Sequence, residues 1–203
     1  MISYQKLDVV EVIGMDFLKQ RILQESEVLS DHVITLDSIL NQQVDPKLIM
    51  ELGREFAKRY SEEKITKVLT IESSGISLGF ATALELGVPL VFARRRKTLV
   101  SDPETYSERV PSFTKGIVTD MLVSRKFLQP TDRILLIDDI IANGDAARGL
   151  IRIIERSGAT LVGVGIAVEK SFQVGARTIR DQGIRVESLV TISSLQGGKV
   201  RFE

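Results

Sequence analysis

Five apolar runs punctuate the chain, "ITKVLTIE", "VPLVFAR", "RILLIDD", "TLVGVGIAVE" and "RVESLVTI", and helical patterns lie among them. Runs of this length suit strands buried on both faces. Strands that alternate with helices need crossover connections, so the chain is predicted to be α/β, with a mostly parallel central sheet flanked by helices. The helix signals are specific. In "VDPKLIMELGREFAKRY", Asp45 is placed as an N-cap and Pro46 takes the first helical position. Leu48, Leu52, Phe56 and Tyr60 then repeat at i+4 as one apolar face. "ISLGFATALELG" predicts a second helix closed by Gly87. A third is predicted from about Ala146 to Arg156, with Gly158 placed to end it. "MDFLKQRILQESEVL" has the pattern of a further helix. Residues 1–14 fit no element and are set aside as an extension of uncertain order, leaving 15–203 as one domain.

Between Arg95 and Gln129 the pattern weakens. "RRKTLVSDPETYSERVPSFTKG" is polar, holds two prolines, and is too long for a plain connector, which predicts a functional loop, a lid over about 98–120.

Composition removes several classes of chemistry. The chain has 27 Lys+Arg against 27 Asp+Glu, a balance that lacks the basic signature of a nucleic-acid binder. No apolar run approaches the roughly 18 residues of a membrane span, and Lys6, Asp8 and Glu11 interrupt the N-terminus where a signal peptide would be apolar. There is no cysteine, and His32 is the sole histidine. Thiolate zinc sites, cysteine nucleophiles and multi-histidine metal centres are thereby excluded, a Ser-His-Asp triad is nearly excluded because it would have to use His32, and a cytoplasmic location is the simplest reading. His32 itself reads as a structural or surface residue.

The richest segment is "RILLIDDIIANGDAARG". It places Asp138 and Asp139 side by side where a buried strand is expected to run out, followed by a short loop and a helix start. Adjacent carboxylates repel one another and do not belong in a core without partners. Either they are solvated at a strand end, with Asp145 as an ordinary N-cap, or they hold a ligand. In open α/β sheets ligands bind at the carboxyl ends of strands. The turn amides of "ANGDA" and the following helix dipole suit a phosphate, Gly144 allows a tight turn, and paired carboxylates can accept hydrogen bonds from sugar hydroxyls.

A strand, Asp-Asp, two apolar residues and a five-residue loop of small residues resemble the 5-phosphoribosyl pyrophosphate (PRPP) signature of the type I phosphoribosyltransferases. "LLIDDIIANGDAARGL" resembles most the bacterial xanthine phosphoribosyltransferases. So do "VLSDHVITLDSILNQQVDP", "KITKVLTIESSG", "GVPLVFARRRK", "PSFTK", "GVGIAVEKSFQ" and "RVESLVTI", in the same order, from about Met15 to the C-terminus. The resemblance implies the type I fold, with a small hood built from about 15–45 and the C-terminal segment. It implies an enzyme that transfers the phosphoribosyl group of PRPP to xanthine, with Mg²⁺ accompanying PRPP and held mainly by substrate, and a homodimer without nucleic-acid or membrane partners.

The residue roles follow from the same resemblance. Ala142, Asn143, Gly144, Asp145 and Ala146 would hold the 5-phosphate through backbone amides, with Asp138 and Asp139 on the ribose hydroxyls as the catalytic pair. Ser73, Ser74 and Gly75 stand where the family keeps its pyrophosphate loop. Arg94 and Lys97, with Arg95 and Arg96 between them, would meet the pyrophosphate, with a dimer interface as one route. Ile34, Asn41 and Lys170 match the purine site. Two departures stand out: Ala142 replaces the carboxylate base of hypoxanthine-guanine enzymes, and Asp145 puts a negative charge beside a phosphate. The alternatives are a phosphoribosyltransferase for another base, a non-catalytic PRPP-sensing regulator, or a homologue whose site Asp145 has spoiled.

Overall fold

The structure, a computed structural model, describes residues 9–96, 103–112 and 117–203. Helix α1 (Val9–Glu25) leads into a hairpin of β1 (Glu27–Ser30) and β2 (Val33–Thr35), then a π-helical turn at Asp37–Asn41. The main body follows: α2 (Pro46–Arg59), β3 (Lys67–Ile71), α3 (Gly75–Leu86) and β4 (Leu90–Arg96). A second hairpin of β5 (Thr105–Ser112) and β6 (Ile117–Ser124) precedes β7 (Arg133–Ile141), α4 (Asp145–Ser157) and β8 (Thr160–Lys170). A short α5 (Gly175–Arg180), β9 (Val186–Ser194) and β10 (Arg201–Phe202) complete the chain. The large sheet has the order β10-β9-β8-β7-β3-β4-β6-β5. Its five central strands are parallel, and both edges are extended by antiparallel strands. The α/β fold expected from the sequence, a mostly parallel central sheet flanked by helices, is the one observed.

The helix punctuation is realised locally. Asp45 accepts from the amides of Lys47 (2.9 Å) and Leu48 (3.3 Å), capping α2 just ahead of Pro46. Gly87 and Gly158 close α3 and α4 in the left-handed region. One core packs Leu18, Ile22, Leu48, Leu52, Phe56 and Leu78 from α1–α3 on one sheet face. The other packs Leu150, Ile153, Ile154 and Ile179 from α4 and α5 on the opposite face. Strand β7 serves both by alternation: Leu135 and Ile137 join the first core, Ile134 and Leu136 the second.

Where it is described, the segment expected as a lid over about 98–120 is not an irregular loop but largely the β5–β6 hairpin; residues 98–102 and 113–116 of it lie outside the described residues. Tyr106, Val110, Met121 and Val123 point into the second core. The hairpin is clasped to α4, where Glu108 accepts from Arg152 (2.5 Å) and Arg156 (3.4 Å). This period-two pattern is hard to see in sequence because Glu108 falls on the inward-facing set and two prolines break the run.

Glycines in β8 make room for the aromatic end of α2. A Cβ on Gly165 would lie 2.6 Å from Ile137 Cδ1 and 2.7 Å from Phe56 Cδ1, and the Tyr60 hydroxyl donates to the Val164 carbonyl at 3.0 Å. Gly165→Val should therefore overpack this layer and lower stability by about 1–3 kcal/mol, read as an earlier thermal or urea transition. An unchanged transition would mean that α2 can shift away from the sheet.

Candidate functional site

Strand β3 pairs with β7 only as far as Leu69 against Leu136. Beyond that point the chain after β3 turns into α3, while β7 continues beside β8 to Ile141. The two aspartates therefore do not stand at the end of the strand, as the sequence suggested. They lie inside it, where one of its two neighbours has left. The opening is a cleft of about 900 Å³ lined by the β1–β2 hairpin, the turn after β3, the end of β7 and the loop into α4, with β5 and β6 along one side.

Successive residues of a regular strand face opposite sides of a sheet, yet both Asp138 and Asp139 line this cleft. The alternation inverts at this point. Past the aspartates Ile140 joins the first core and Ile141 the second, reversing the order of Leu136 and Ile137. Both carboxylates are buried, and the Asp139 amide donates to Asp138 Oδ1 at 3.1 Å. Burial, reinforced by the neighbouring Asp139 charge, pushes the Asp138 carboxyl well above the ordinary carboxylate range; Arg95 opposes this from across the cleft.

The turn Glu72–Gly75 brings Ser73 and Ser74 to the cleft wall. Ser74 precedes α3 but makes no side-chain capping bond, so its hydroxyl is not committed to the helix. Gly75 is required by space: a Cβ there would fall 2.2 Å from Thr70 Oγ1 and 3.1 Å from Asp138 Oδ1. On β4, alternation separates the expected cations. Arg95 lines the cleft, its amide bonded to Glu72 Oε1 at 2.5 Å, whereas the Arg94 guanidinium lies over the Phe92 ring at 5.8 Å and does not line the cleft. Lys97 lies outside the described residues. Alternation alone requires that one of these two adjacent strand residues face away, without saying which.

Ala142, Asn143, Gly144, Asp145 and Ala146 all line the opposite end of the cleft. Gly144 takes φ 79°, a conformation natural to glycine, and its carbonyl accepts the first helical bond from Arg148 N at 2.9 Å. By helix geometry the amides of the first turn of α4 have no acceptor within the helix. Asp145 is the first residue inside the helix rather than its N-cap, a position held by Gly144. Its carboxylate pairs with Arg148 at 2.7 Å. Sequence reasoning missed the backing of this loop. A Cβ on Gly175 would sit 2.4 Å from the Ala142 carbonyl, to which Gly175 N donates at 3.0 Å. The only hint was a glycine following the last strand-end lysine.

At the other end, Ile34 of β2, Asn41 of the π-helical turn and Lys170 at the end of β8 line the same cleft. Ile34 is buried and also belongs to the first core, while Asn41 is exposed. Lys170 is buried, which lowers its ammonium pKa, and it donates to the His32 carbonyl at 2.9 Å, tying β8 to the β1–β2 hairpin. His32 thus contributes a backbone oxygen rather than its ring. Among the described residues no three His, Cys, Asp or Glu side chains gather as a metal cage, and no helix is long and apolar enough to cross a membrane.

Residues 39–192 match the model of the phosphoribosyl transferase domain. A xanthine phosphoribosyltransferase of Moorella thermoacetica is 53% identical over 93% of this chain and 96% of its own; one of Bacillus mycoides is 50% identical over 93% and 95%. The crystal structure of adenine phosphoribosyltransferase from Rhodothermus marinus superposes with a TM-score of 0.72 at 25% identity, covering 89% of this chain and 99% of that one. The chain belongs to the phosphoribosyltransferase family, among the xanthine phosphoribosyltransferases.

Proposed function

We propose that the chain transfers the 5-phosphoribosyl group of PRPP to xanthine, giving xanthosine 5′-monophosphate and pyrophosphate. The observation that carries this is one cleft holding three chemistries in line: the 142–146 loop, the Asp138–Asp139 pair and Lys170. The loop amides and the start of α4 would take the 5-phosphate. Asp138 and Asp139 would accept from the ribose 2- and 3-hydroxyls and favour the positive charge that develops at C1. Ser73, Ser74 and the backbone at Gly75, with Arg95, would take the pyrophosphate. Lys170 has three donors, of which one is spent on His32, so the others can reach a carbonyl oxygen of the base. Ile34 packs against the base, and Asn41 closes the hood over it.

As the C1–O bond to pyrophosphate breaks and its electron pair leaves with the pyrophosphate, the C1–N bond to the base forms and the proton of that base nitrogen passes to water or to the pyrophosphate. Such a step needs positioning, charge stabilisation and exclusion of water more than a strong base, in keeping with Ala142 where related enzymes carry a carboxylate. Mg²⁺ brought with PRPP would supply neutralisation of the leaving pyrophosphate. Asp138 and Asp139 are the cleft carboxylates that would face it, while substrate oxygens and water would hold most of its ligand positions, since the described residues gather no cage of three His, Cys, Asp or Glu side chains. PRPP is too highly charged to cross a bilayer unaided and stays where it is made, which supports a cytoplasmic reaction.

A homodimer is part of the same reading. Phe80 and Leu84 are exposed on α3 at i+4 spacing, and Phe92 is exposed on β4 beside Arg94. Pairing through this region would bury them and carry Arg94 toward the partner's cleft. Size measurement should give twice the 22.5 kDa of the chain. A monomer at micromolar concentration would remove Arg94 from the site.

Incubation with PRPP, Mg²⁺ and each of xanthine, guanine, hypoxanthine and adenine should yield xanthosine monophosphate fastest. Lys170→Ala should raise KM for xanthine about tenfold or more while KM for PRPP stays within about threefold. Another base as best substrate would overturn the assignment of the purine end.

Asp138→Asn separates function from stability. It should lower kcat by about a hundredfold or more. The folded chain favours protonated Asp138, so the stability contributed by this group is full below the ordinary carboxylate pKa and lost as pH rises through the raised one. The neutral asparagine should therefore melt higher than the parent at pH 8, with the gap closing near pH ~4. Equal melting temperatures at pH 8 would show that Asp138 carries no burial cost.

A further inference from the structure

Asp145 sets a problem at the phosphate end of the cleft. A carboxylate in the first turn of a helix is favoured by the helix dipole. It therefore competes with a ligand phosphate for the same positive end, and repels it at short range. The structure contains an answer outside the cleft wall. Arg148, one turn further along α4 and partly buried, donates from Nη2 to Asp145 Oδ1 at 2.7 Å and from Nη1 to Thr178 Oγ1 at 3.1 Å. The Thr178 hydroxyl donates in turn to the Gly175 carbonyl at 2.9 Å, and Gly175 N donates to the Ala142 carbonyl at 3.0 Å. The bonds form a closed circuit from the first residue of the loop, through α5, to the first residue of α4. The guanidinium also underlies the loop itself: a Cβ on Gly144 would be 3.1 Å from Arg148 Nη1. Far from the loop, α5 is anchored by Arg180, which holds Glu169 of β8 through two bonds of 2.8 and 2.7 Å.

We propose that Arg148 is a positioning residue for the phosphate loop: pinned by Thr178, it holds the Asp145 carboxylate off the phosphate position and cancels its charge, so that a loop carrying an acidic residue still accepts a phosphate monoester. This rests on the reading of residues 142–146 as the 5-phosphate site. It explains how Asp145 is accommodated there, and it assigns work to Arg148 and Thr178, which do not line the cleft.

The test compares parent, Arg148→Met, Asp145→Asn and Asp145→Asn/Arg148→Met, reading KM for PRPP, KM for xanthine and kcat, together with the Kd of ribose 5-phosphate by calorimetry. Arg148→Met leaves an uncompensated carboxylate and should raise KM for PRPP about tenfold or more, with kcat and KM for xanthine moving less than about threefold. Removing the carboxylate as well should bring KM for PRPP back to within about threefold of the parent. An unchanged KM in Arg148→Met overturns the proposal, and so does a double variant as impaired as the single one, because a merely structural arginine is not rescued by deleting its partner. Where Arg148→Met fails to fold, Asp145→Asn decides. It leaves Arg148 with its full charge under the loop and should lower KM for PRPP; a KM that stays or rises overturns the proposal. The Kd values for ribose 5-phosphate should follow the same ranking without any turnover. A parent inactive with every purine, but with that ranking intact, would refute the proposed reaction and leave the role of Arg148 standing.

Discussion

Two carboxylates buried side by side in the middle of a parallel sheet are tolerable only where the sheet has come apart, and the geometry of this protein follows from that requirement. Strand β3 leaves β7 after Leu136 and β7 carries on with a single neighbour. In the space between, Asp138 and Asp139 both turn to one side because the strand's alternation inverts across them. Gly75 allows the departing chain to pass close to Asp138, so the opening stays narrow. Burial and mutual repulsion keep Asp138 inclined toward its protonated form in the absence of cationic or hydrogen-bond-donating ligands. That energetic cost is what ligand hydroxyls and nearby positive charge can relieve.

The two ends of the cleft are connected through the architecture behind them. Lys170 ends β8, and the chain needs only a short turn to reach α5, whose first glycine supports the 142–146 loop. Glu169, adjacent to Lys170, is the anchor for Arg180 at the far end of α5. The strand-end lysine and the support of the 142–146 loop are thus both carried by the β8–α5 unit. Catalysis that depends on positioning rather than on a strong acid or base benefits from such a common mount. Across the cleft, the Lys170 bond to the His32 carbonyl fastens the β1–β2 hairpin to the same unit.

Much of this was legible in the residues. The capping Asp45–Pro46 pair, the i+4 apolar face of α2, the terminating glycines 87 and 158 and the five central strands are consequences of short-range stereochemistry, and short-range stereochemistry is written in local sequence. The hairpin at 105–124 was not legible, because its inward set includes Glu108, an acid that becomes acceptable there only through Arg152 and Arg156, more than forty residues away. The strand through Asp138–Asp139 was read as ending too early for a similar reason. Two charges normally end a buried strand, and nothing local shows that β8 would keep one edge paired.

Local sequence carries helices α2, α3 and α4, the five central strands and their mostly parallel pairing, and its motifs mark the 142–146 loop, the carboxylate pair and the strand-end lysine as the candidate chemistry. Packing settled the rest: which of Arg94 and Arg95 faces the cleft, that Gly144 rather than Asp145 is the N-cap of α4, and that Thr178 and Gly175 stand with Arg148 behind the loop. A motif is a local arrangement of backbone and side chain, whereas the support of the loop and the fixing of Arg148 beside Asp145 depend on Gly175 and Thr178, distant in sequence and brought into contact by packing.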